Sequence, residues 1–238
     1  MFALSRALMG STALVLVTTS GAFAESLWTG TLDNQFNHFE NWDGTFNGSD
    51  LVIDGNYSVT APETVATDIN AVDTSNNAGN GPRSLVISGG ATLTATYNGG
   101  AIAIGWTQGT STITAPGAGS KLVTNSGSWT NIGWGADTTG VLTVSDGATF
   151  QAGHHIAVGK GTGSTGRLEI DHATLDLRTG AQLQVGTGGT GTVDVTNGST
   201  ATLAGAAFIG NSANATGSFN LSGGSTLTSS VYFLLGLS

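Results

Sequence analysis

A short unit recurs along the chain and constrains its fold more than any other feature. One copy reads Leu142-Thr143-Val144-Ser145-Asp146-Gly147-Ala148-Thr149-Phe150. Others read Leu85-Val86-Ile87-Ser88-Gly89-Gly90-Ala91-Thr92-Leu93 and Phe219-Asn220-Leu221-Ser222-Gly223-Gly224-Ser225-Thr226-Leu227. The shared order is apolar-x-apolar, a turn with Gly, a small residue, Thr, then apolar.

Stacked copies give columns. The first holds Leu51, Leu85, Ile113, Leu142, Leu168, Val193 and Phe219, at steps of 25 to 34 residues. The second holds Ile53, Ile87, Ala115, Val144, Ile170, Val195 and Leu221, and the third Val59, Leu93, Leu122, Phe150, Leu175, Ala201 and Leu227. A fourth is an aliphatic residue followed by Gly: Ile104-Gly105, Ile132-Gly133, Val158-Gly159, Val185-Gly186, Ile209-Gly210 and Leu235-Gly236. Alternation of period two makes each apolar segment a strand with one face inward. Units this short cannot bury that face alone and must stack on one another. Propeller blades need about 40 to 45 residues, and the Leu-x-x-Leu-x-Leu phase of leucine-rich repeats is absent. The expected fold is all-β, a right-handed parallel β-helix (β-solenoid) of about seven rungs, on the order of 34 Å long at about 4.8 Å per rung.

Residues 1–24 have the form of a removable secretory signal: Arg6, then a small apolar run around Leu14-Val15-Leu16-Val17, then Ala22-Phe23-Ala24. Cleavage is expected between Ala24 and Glu25. Residues 25–50 are expected to form an N-terminal capping segment, and 51–238 the repeats. No later segment is long and apolar enough for a transmembrane helix. The chain has no cysteine and 38 glycines against 3 prolines, which fits many tight turns. Only 9% of residues are charged and the net charge is −9. That balance argues against a nucleic-acid partner, which requires basic patches.

Three further features carry a family resemblance. One is Gly117-Ala118-Gly119-Ser120-Lys121-Leu122. Another is a Thr-Gly pair that follows four of the aliphatic-Gly steps: Thr139-Gly140, Thr165-Gly166, Thr190-Gly191 and Thr216-Gly217. The third is the opening Leu27-Trp28-Thr29-Gly30, Glu40-Asn41-Trp42 and Ser49-Asp50-Leu51-Val52-Ile53. Over about residues 27 to 238 the chain resembles the passenger part of autotransporters, the type V secretion proteins of bacteria. Leu122 stands where that family usually carries Trp. The resemblance implies a secreted or cell-surface chain, held at the outer membrane through a translocator β-barrel that this sequence does not contain. The repeat breaks off mid-phase within Val231–Ser238. The chain is therefore expected to be a fragment, and its open C-terminal rung to self-associate by edge pairing.

Candidate chemistry is sparse. Of His38, His154, His155 and His172, the last three fall in neighbouring units. Adjacent residues of a strand point to opposite faces, so His154 and His155 are not expected to share a metal site. Glu169, Asp171, Asp176 and Asp194 form one acidic group. Glu169 and Asp171 share a face, and Asp194 repeats the phase of Glu169, which would set two carboxylates near 5 Å apart, the separation acid/base glycoside chemistry uses. Thr143 and Asn220 at that phase in other units make it equally an outward polar column. Gly188-Gly189-Thr190-Gly191-Thr192-Val193-Asp194 approaches the calcium-binding nonapeptide, with its Asp one place late. The Thr92/Thr94, Thr200/Thr202 and Thr226/Thr228 pairs suit an ice-matching ladder, but Lys121/Val123, Thr149/Gln151 and Thr174/Asp176 interrupt it. Trp106, Trp129 and Trp134 form either an aromatic stripe for a glycan or protein, or covers for the solenoid corners.

The expected function is structural and adhesive, without enzymatic activity, cofactor or metal, and with an unidentified surface protein or glycan as partner. The alternatives are a carbohydrate-active β-helix enzyme using Glu169, Asp171 and Asp194, and a passive stalk.

Overall fold

The computed structural model describes residues 25–32, 41–43, 50–54, 57–61, 65–67, 84–96, 99–106, 109–210 and 212–236. The expected leader lies outside them, as does His38; Glu25 is the first described residue. Among the described residues seven rungs of three strands stack into three parallel sheets, with six steps from the first rung to the last. One complete rung comprises Thr139–Ser145, Thr149–Ala152 and Ile156–Val158. The next comprises Thr165–Asp171, Thr174–Leu177 and Gln182–Val185. We call the sheets first, second and third in the order the chain visits them. The first gains an eighth strand, Glu25–Leu27, which pairs with Asp50–Asp54. Next to it Trp28 and Trp42 bridge antiparallel, edge to face at 5.1 Å, and both are buried.

Strand register reproduces the sequence columns. Leu142 pairs with Ile113 on one side and Leu168 on the other. Phe150 lies between Leu122 and Leu175, and Val158 between Ile132 and Val185. From Leu85 to Val195 the column residues are fully buried, and together they form one continuous core. This core follows from the period: alternate side chains point inward, and each inward residue meets the same class above and below.

The corners explain the glycines. After the third strand the chain turns through a residue at positive φ: Gly105, Gly133, Gly159, Gly186, Gly210 and Gly236, with φ of 65 to 69°. That is the left-handed region, which Gly enters without strain. The turn packs backbone against backbone, so a Cβ on Gly133 would stand 2.6 Å from the Thr165 carbonyl oxygen. The facing Thr-Gly pair has the same constraint, since a Cβ on Gly166 would meet the Ile132 oxygen at 2.3 Å. The corner between the first and second sheets uses Asp146, His172 and Asn197 at φ of 49 to 56°, residue types that tolerate the left-handed region. His172 is therefore a turn residue. Among the described residues no helix is long and apolar enough to cross a membrane.

Candidate functional site

With the inner faces filled by core, chemistry is left to three outer faces. That of the second sheet carries Thr92, Lys121, Thr149, Thr174, Thr200 and Thr226 in one register row, and Thr94, Val123, Gln151, Asp176, Thr202 and Thr228 in the next. The threonine pairs are interrupted at the expected positions. Asp176 accepts a hydrogen bond from Gln151 at 3.0 Å, on a different sheet from the other acids.

On the first sheet Glu169 and Asp194 are register partners, as their shared phase requires. Between them stands Arg167, which no motif in the sequence singles out. Its Nε is 2.7 Å from Glu169, and its Nη2 is 3.0 Å from Asp194. Thr143 donates to Glu169 at 2.8 Å and Asn220 to Asp194 at 2.7 Å. Asp171 accepts from Thr196 at 2.8 Å. The acids thus form an outward polar ladder across four rungs. Asp194, the carboxylate of the calcium-like segment, is committed to this ladder. One guanidinium bridges the Glu169 and Asp194 carboxylates.

The third sheet differs in kind. Trp106, Trp134 and Lys160 occupy equivalent places, each directly after the corner glycine of its rung. Trp106 and Trp134 stack with centroids 5.0 Å apart and planes at 8°, close to the rung spacing. Lys160 continues the row: its Nζ lies 4.9 Å from the Trp134 ring and 5.1 Å from Trp129. The same Nζ donates to Asn131 Oδ1 at 3.0 Å. Among the described residues it has no carboxylate partner, and burial lowers its pKa.

His154 and His155 complete this patch. Their rings lie 4.0 Å apart, and Trp129 meets His155 edge to face at 4.4 Å. This corrects the expectation that the two histidines face opposite ways. They lie in the corner between Thr149–Ala152 and Ile156–Val158, where strand alternation does not apply. Neither Nδ1 has a hydrogen-bond partner. His172 stands at a different corner, and no group of three His, Asp or Glu side chains is placed to hold a metal among the described residues. Lys160, like Arg167, is not singled out by residue type, but aligning the positions after the corner glycines reveals it.

Burial first, and the charge of neighbouring His154 second, hold the His155 pKa below its ordinary value of 6.5. The groups facing it are Trp129 and His154, with Lys160 on the same indole. The unfolded chain therefore binds this proton more readily, and stability falls as pH drops through 6.5 toward the lower folded value. Protonated imidazole quenches indole, so Trp129 emission is expected to fall in acid with a midpoint below 6.5. Trp129→Phe should abolish that step. A midpoint at or above the ordinary histidine value would contradict the geometry.

Comparison with protein-family models, curated proteins and solved structures returns no match. Any functional reading stands on sequence and geometry.

Proposed function

We propose that the chain is a surface-displayed structural and adhesive β-solenoid of the autotransporter-passenger kind. One observation carries the adhesive part: the corner aromatics and imidazoles gather on one outer face. Trp106, Trp129, Trp134, His154 and His155 lie along the third sheet, followed by half-buried Phe208 and exposed Tyr232. The outer rows of the other two sheets carry mainly Thr, Ser, acids and amides. A solenoid serving only as a spacer has no need of one aromatic face. Aromatic side chains with polar tips are enriched where proteins meet partners. The leader and the Gly-Ala-Gly-Ser, Thr-Gly and opening Trp words support export and display.

Adhesion is tested with beads coated with residues 25–238, against beads coated with an unrelated acidic protein. Retention is measured on immobilised mucin, collagen, glass and polysaccharide gels. The expected result is specific retention on at least one surface, reduced by Trp129→Ala. Retention no better than the control on every surface would leave a stalk and overturn the adhesive reading.

A further inference from the structure

We infer that the third-sheet face around Lys160 binds a carboxylated polysaccharide, with the Lys160 ammonium as its anion contact. This rests on the adhesive reading and names its ligand class. The site is built from Lys160 and five side chains around it. Trp129 and Trp134 flank Nζ at 5.1 and 4.9 Å, Asn131 accepts one of its hydrogen bonds at 3.0 Å, and His154 and His155 pack beside Trp129.

An ammonium has three donors and no acceptor. Asn131 takes one, and no other acceptor meets Nζ among the described residues. In a chain of net charge −9, this cation is held among aromatic rings, and among the described residues no carboxylate forms an ion pair with it. The arrangement contrasts with Arg167, whose two carboxylate partners neutralise it. A half-buried cation without its counterion is costly to maintain, and an incoming carboxylate would remove that cost.

The surroundings favour a sugar polymer over a peptide. Peptides take a free strand edge or a groove, whereas this surface is the outer face of a sheet whose central strands are paired on both sides. Sugar rings lay their C–H faces on aromatic surfaces, while a few polar groups fix the hydroxyls. Those groups continue along the face: Gln182 and Gln184 in the rung after Lys160 hydrogen-bond each other at 2.8 Å, with Gln184 in register with Ala157. Phe208 follows in register with Gln184. A chain running parallel to the solenoid axis meets indole, ammonium, amides and phenyl in turn.

Affinity electrophoresis of residues 25–238 tests this, in gels containing alginate, polygalacturonate, neutral dextran or poly-glutamate. Both uronans should retard the protein and dextran should not. Lys160→Gln and Trp129→Ala should each weaken retardation at least about tenfold, while Lys121→Gln on the second sheet leaves it intact. Trp129→Phe guards against misfolding and should retain part of the binding. Absence of retardation by the uronans overturns the inference, as does equal loss in Lys121→Gln. Retardation by poly-glutamate as strong as by the uronans also overturns it, in favour of an acidic peptide. If coated beads adhere to mucin or collagen but the uronans do not bind, the inference fails and the adhesive reading stands. If nothing is bound, both fail.

Discussion

Gly159→Ala is expected to destabilise the solenoid by more than about 4 kcal/mol, whereas Gly198→Ala, at nearly the same backbone angle, costs about 1 to 2 kcal/mol. Both glycines are left-handed, with φ of 68° and 75°. An L side chain at either position carries the conformational penalty, so φ alone predicts similar losses. Space separates them. A Cβ on Gly198 meets nothing within 4 Å, whereas one on Gly159 would sit 2.3 Å from the Thr190 oxygen and 2.6 Å from the Gly191 nitrogen. Those are backbone atoms of the first-sheet strand Thr190–Thr196, held by ladders on both sides, and no rotamer change relieves the clash. The corner must open, and with it the hydrogen bonds Gly159 N to Ile132 O at 2.7 Å and Gly186 N to Val158 O at 2.8 Å. Thermal unfolding followed by circular dichroism checks the pair. At about 2–4 °C per kcal/mol for a chain of this size, Gly198→Ala should melt a few degrees low and Gly159→Ala about 10 °C low or more. Equal melting temperatures would show that the corners are looser than the geometry places them.

The same corners mark how far the sequence could be read. The core was legible because repetition puts one residue class at each inward place. Leu142, Val144 and Phe150 declare their direction through alternation, and copies above and below confirm the phase. Glu169 and Asp194 were legible as neighbours for the same reason. Arg167 is not legible, because an outward cation two residues before Glu169 carries no signal until the cross-strand partner is known. For His154 and His155 alternation gives the wrong direction, because they lie in a corner between two strands. The row Trp106, Trp134, Lys160 was half seen: the tryptophans stand out by type, but a lone Lys after Val158-Gly159 looks like surface charge. Ligand identity is fainter still, since most of each unit's residues are committed to stacking and few remain to record a partner.

Phe150→Ala carries the second large effect, and the ladder around it sets the size. Among the described residues Phe150 is the largest fully buried side chain, stacked between Leu122 and Leu175. Ala148 and Ala152, two residues to either side and also buried, leave room for the ring. Phe→Ala substitutions in cores cost about 3–5 kcal/mol, more when the site cannot collapse. Leu122 and Leu175 are fixed by parallel ladders on both sides, so they cannot close the cavity, and the upper part of that range is expected. Phe150→Leu returns the position to the aliphatic pattern of its neighbours and should cost much less, below about 1.5 kcal/mol where the volume is nearly kept. Rungs contact only their neighbours, so stability is a sum of rung and interface terms. A cavity in the fourth of seven rungs weakens the interfaces on both sides of it. Urea unfolding should therefore show a large fall in midpoint for Phe150→Ala, with a shallower transition if the two halves begin to unfold separately. An unchanged midpoint would mean that the ladder is not packed at its centre, and the continuous core would have to be divided at that rung.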